Sequence, residues 1–181
     1  MKWFNYSTLV FVLLVFSCKS SKNTASDAQI KALANLVENK TFFIESNWAY
    51  PQTTNAMQQV LNSGILQPGS NANSINLVGN SNFLKVSGDS IYSYLPYFGE
   101  RQMQVAYGGG DSAIEFNGIM ENYKIVKRKD QGYNITFNAK SNAESFNVFI
   151  TLWPSLKSNM SLNSASRFPI RYSGDVIETA E

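Results

Sequence analysis

The chain has 181 residues, a formal net charge of +2, a single cysteine and no histidine. That length fits one domain, and so weak a charge offers no electrostatic reason to expect nucleic acid or a strongly acidic partner. Without histidine, and with one thiol at most, Ser-His-Asp, Cys-His and zinc-centred mechanisms lack their working parts.

The first 17 residues have the three parts of an export signal: Lys2 at the start, an apolar run from Ser7 to Phe16, and Ser17 before Cys18. A membrane-spanning helix needs about 20 apolar residues, and this run is roughly half that. Residues 1–17 therefore read as a cleaved signal peptide. Val15-Phe16-Ser17-Cys18 resembles the bacterial lipobox, with Phe16 standing where a small or aliphatic residue is usual. Cys18 is the expected lipidation site, and a polar tether follows it through residue 25. Acylation by more than one chain suffices for stable membrane attachment. Lys19, Ser20, Ser21 and Lys22 lack the acidic residues of surface-exported lipoproteins, so the expected location is the periplasmic face of the outer membrane.

Residues 26–181 read as one β-rich domain that begins with a helix over 26–39. Ser26 and Gln29 fit a capping box, and Ile30, Leu33, Ala34 and Val37 form one apolar stripe. From Thr41 the pattern changes to strands. Thr41–Ile44 leads to Trp48, Tyr50 and Pro51; residues 53–69 are less regular. Phe83–Val86 and Ile91–Leu95 flank the turn signal Ser87-Gly88-Asp89. Further strands are expected around Ile114–Phe116, Tyr123–Lys127, Tyr133–Phe137, Phe146–Leu152 and Phe168–Tyr172. Lys127-Arg128-Lys129 beside Asp130-Gln131-Gly132 reads as the solvated tip of a hairpin. Period-two alternation means one buried and one wet face. Nine or ten such strands joined by short turns predict a mainly β domain, an antiparallel up-and-down sheet curled into a barrel or half-barrel.

Leu95-Pro96-Tyr97-Phe98-Gly99, preceded by Lys85-Val86-Ser87-Gly88-Asp89, resembles a family of Bacteroidetes lipoproteins, domain of unknown function 4251. Gly108-Gly109-Gly110, Ile114-Glu115-Phe116 and the closing Arg167, Ile170, Tyr172 and Gly174 extend the resemblance over residues 42–177. Two departures stand out: Glu100 precedes the basic Arg101, and Trp153-Pro154 with a longer polar loop replaces a glycine. The resemblance implies a mostly β domain of lipocalin-like barrel topology and no known activity.

Pro96 lacks a backbone donor, so pairing breaks or bulges there. The bend is either a corner plugging the end of a barrel or part of an aromatic binding mouth made by Tyr94, Tyr97, Phe98, Arg101 and Tyr107. Tyr107-Gly108-Gly109-Gly110-Asp111-Ser112 lacks the lysine and following helix of a phosphate loop. No cofactor and no metal are expected. The function these features suggest is a non-enzymatic binding or scaffolding module, tethered to the membrane through Cys18. Its partner would be a small apolar or glycan ligand or an envelope protein. The alternative is a glycan hydrolase using two carboxylates among Asp89, Glu100, Asp111, Glu115 and Glu121, which requires two acids about 5–9 Å apart.

Overall fold

A computed structural model describes residues 25–52, 54–55, 58–59, 68–102, 113–141 and 144–177. Cys18, Tyr107 and the Gly108–Gly110 run lie outside the described residues. Helix α1 (Asp27–Glu38) opens the domain. Its capping box is formed: the Ser26 backbone N–H donates to the Gln29 amide oxygen at 2.9 Å, and the Gln29 N–H donates to the Ser26 hydroxyl at 3.3 Å. Leu33 and Val37 are buried in the common core. Lys40, at φ 49°, turns the chain into the sheet, and its ammonium meets Asp89 at 2.6 Å.

Eleven strands follow among the described residues: β1 (Thr41–Pro51), β2 (Ile75–Asn76), β3 (Phe83–Ser87), β4 (Ser90–Pro96), β5 (Ala113–Ile114), β6 (Asn117–Ile119), β7 (Glu121–Lys127), β8 (Tyr133–Ser141), β9 (Glu144–Leu152), β10 (Lys157–Ser164) and β11 (Ile170–Ile177). They make one antiparallel sheet in the order β5-β4-β3-β1-β11-β10-β9-β8-β7, with β2 on β1 and β6 on β4. The first and last long strands pair with each other, as in a meander that curls back on itself. Among the described residues the ring is not completed. Residues 113–127 pair with β4 over their first part and with β8 over their second. The sheet is thus a half-barrel.

Alternation sets the two faces. Phe42 and Ile44, Leu84 and Val86, Ile91 and Leu95, Ile135 and Phe137, Val148 and Ile150, Met160 and Leu162, and Tyr172 and Val176 all point inward and are buried. Removing such side chains from water contributes about 1.5–3 kcal/mol each, so the inner face is the source of stability. The polar loop expected after Trp153-Pro154 is instead a tight turn into β10. Met160 and Leu162 supply only two apolar residues to that strand, and Ser158 occupies its third buried position. Alternation was present but written largely in polar residues.

One irregularity positions the outer face. The β1–β11 register shifts between Ser46, which faces Gly174, and Trp48, which faces Ser173. This bulge inserts Asn47 and reverses the parity of β1. Ser46 is buried, and after the bulge it is Ala49 and Pro51 that are buried. Trp48 and Tyr50 are thereby turned to the outside.

Candidate functional site

The Leu95–Arg101 bend is a closed structural corner. Pro96 ends β4, and its carbonyl accepts the Tyr172 hydroxyl at 2.8 Å. Tyr97 turns inward, only 8% exposed, with its hydroxyl directed at the carbonyls of Glu100 (2.8 Å) and Phe168 (3.0 Å). Burial, eased by the nearby Arg167, pushes the Tyr97 hydroxyl up to about 12. A Cβ on residue 99 would fall 2.3 Å from that hydroxyl, which is why glycine stands there. The chain beyond it pairs across to the β10–β11 connection: Phe168 N–H donates to Glu100 O at 3.1 Å, and Gln102 N–H to Ser166 O at 2.8 Å.

Arg167 locks this corner. Its guanidinium lies 5.0 Å from the Tyr97 ring centroid and 5.9 Å from that of Phe146. Its Nε donates to Glu144 Oε2 at 2.9 Å, with both side chains largely withdrawn from water. Glu144 also accepts from the Ser164 hydroxyl. Removing two charges from water is costly unless their remaining hydrogen-bonding positions are met, and here the carboxylate is met on both oxygens. The corner's polar groups are turned on one another.

The aromatic mouth expected from the sequence is therefore divided. Tyr97 is buried, Phe98 packs against the core, and Arg101 forms a backbone bridge with Arg167. Tyr94 is 43% exposed on the opposite face of β4. Strand alternation separates it from Tyr97, since one bend cannot bring both rings to the same side. Tyr94 instead lines a depression of about 410 Å³ on the outside, with Tyr92, Phe83 and Glu115.

A second outward depression, of about 350 Å³, crosses β1, β11, β10 and β9. Tyr50, Arg171, Ser161 and Phe149 stand opposite one another in register across those four strands. The Tyr50 hydroxyl is hydrogen-bonded to Ser173 at 3.1 Å, and the Arg171 guanidinium lies 5.9 Å from the Tyr50 ring. Thr151 and Asn159 complete the floor, and the Thr151 hydroxyl donates to Asn134 at 3.2 Å. At Asn159 this depression adjoins another of about 280 Å³ that includes Trp48 and Trp153. Phe149 was recoverable from the sequence as a large ring at an outward position between Val148 and Ile150. Trp48 and Tyr50 were not, because the bulge decides their side.

Of the carboxylates weighed for hydrolysis, Glu115 lines the outer depression beside Tyr94, and three others are engaged separately. Asp89 pairs with Lys40, Glu121 with Lys140, and Glu100 accepts from Thr54; Asp111 lies outside the described residues. Among the described residues no group of three or more acids, histidines or cysteines is placed to hold a metal, and no lysine is buried.

A family model, domain of unknown function (DUF4251), matches residues 24–176. The crystal structure of a DUF4251 family protein from Bacteroides eggerthii DSM 20697 superposes with a TM-score of 0.56 at 14% identity, over 84% of this chain and 89% of that one. At that identity the likeness is one of fold. No curated protein matches the chain.

Proposed function

We propose that this chain, which belongs to the DUF4251 family, is an envelope lipoprotein that binds a partner on the outer face of its half-barrel. The observation that carries this reading is the placement of its space. The inward positions are filled by buried side chains, while depressions lined by exposed or half-exposed rings lie outside. Rings held at outward positions of a rigid sheet are a common basis of recognition, because they offer large contact area at little entropic cost. The signal-like segment and Val15-Phe16-Ser17-Cys18 support a lipid tether that keeps this face at the periplasmic side of the outer membrane.

Two measurements test the reading. Cys18→Ser should abolish palmitate labelling and release the protein from membranes; unchanged retention would contradict the tether. Full-length protein captured from detergent-solubilised envelopes should bring down a component that a Trp48→Ala/Phe149→Ala variant loses. Identical co-purification by both proteins would show that this face is not the one used.

A further inference from the structure

Resting on that reading, we infer that the paired depressions over β1, β11, β10 and β9 form a site for an acidic oligosaccharide, with Arg171 as its anion-binding residue. The first argument is shape. The depressions meet at Asn159, giving an extended groove with rings along it, Tyr50 and Phe149 in one part and Trp48 and Trp153 in the other. Tyr50 and Phe149 are three strand spacings apart, roughly 14 Å at about 4.8 Å per spacing. That span suits a chain of linked sugar rings, whose carbon faces lie flat against aromatic rings.

The second argument is the polar lining. Asn159 and Ser161 are neutral side chains that each donate and accept, as a sugar hydroxyl does. An acyl chain lying there would strip them of water without replacing the hydrogen bonds. A peptide recognised through its backbone adds to a sheet edge, but β11 and β10 are paired on both sides and have no ladder donors to offer.

The third argument is charge. Arg171 is exposed, and its contact among the described residues is the Tyr50 ring. Its five N–H donors form a fixed fork that matches a carboxylate bidentately. Among the described residues no acid lines the depression it borders, so none of them competes for that fork or repels an anion. Hydroxyl-rich, ring-shaped and carboxylate-bearing together describe a uronic-acid oligosaccharide.

The test is an array of uronic-acid oligosaccharides beside their carboxyl-reduced counterparts, probed with the full-length protein in detergent. Acidic members should bind at least about tenfold more tightly than the reduced ones, as charge-assisted hydrogen bonds are roughly twice as strong as neutral ones. Arg171→Gln should erase that difference, and Phe149→Ala should weaken both classes. Both side chains are exposed, so thermal unfolding should show the variants folded. Equal binding of acidic and reduced forms, or acidic binding indifferent to Arg171→Gln, overturns the inference. So does an array without any binding while the envelope component is still captured through the same face, an outcome that leaves the outer-face reading standing. If the captured component is also indifferent to Trp48→Ala/Phe149→Ala, both readings fall together.

Discussion

Arg167 and Glu144 show how one buried contact differs from several exposed ones of the same chemistry. Their side chains are 6% and 13% exposed, against 66% and 56% for Lys140 and Glu121. Losing one partner of a buried pair strands the other charge, which costs about 3–5 kcal/mol; an exposed pair contributes about 0–1 kcal/mol. Glu144→Ala should therefore lower unfolding stability in urea by about 3–5 kcal/mol, and Glu121→Ala by under about 1 kcal/mol. Equal effects would remove Arg167 from its place as the lock of the corner. Gly174 shows a second residue-scale constraint: a Cβ there would lie 1.9 Å from the Glu45 carbonyl oxygen, whereas one on Gly118 meets nothing within 4 Å. Gly174→Ala should push β1 and β11 apart and destabilise by more than about 3 kcal/mol, while Gly118→Ala stays within about 0.5 kcal/mol. Comparable melting temperatures for the two variants would contradict that close approach.

Among the elements, α1 was the most legible. Its cap and stripe were both local signals, and the observed Asp27–Glu38 lies inside the expected 26–39. Ser26→Ala should cost about 1 kcal/mol, and Ser26→Asp should retain the cap; chemical denaturation of the two variants distinguishes them. The hairpins read correctly for the same reason. In the β7–β8 connection, Arg128 N–H donates to the Gly132 carbonyl at 2.8 Å and the Arg128 side chain pairs with Asp130, which closes the turn over Arg128–Gly132 directly after Lys127, the last residue of β7. Strand β10 was missed because its burial comes from Ser158, Met160 and Leu162, and a polar residue at an inward position is indistinguishable from loop until its neighbours β9 and β11 are in place.

At the scale of the whole molecule, burial of tyrosine makes stability depend on alkaline pH. Tyr97 and Tyr123 are both pushed up to about 12, chiefly by burial, and Tyr172 is pushed above the ordinary tyrosine range. Above the ordinary value of 10.0, the unfolded chain loses these protons while the folded chain keeps them. Stability is therefore intact below that pH and falls as pH rises towards 12. The tyrosinate absorbance of these three rings should appear together with loss of the β-sheet circular dichroism; full ionisation with an unchanged sheet would contradict their burial. Sequence by itself determined the β-rich class, the capped helix and the hairpin turns, because those rest on local chemistry and on alternation, while strings such as Leu95–Gly99 carried the family resemblance. Only the tertiary structure decided which side chains face outward. The Leu95–Arg101 string closed into a corner because Tyr97 and the backbone around it found partners in the β10–β11 connection and at Tyr172 of β11. The bulge at Asn47, created by pairing with a strand more than a hundred residues away, turned Trp48 outward opposite Ser173 and Tyr50 outward opposite Arg171.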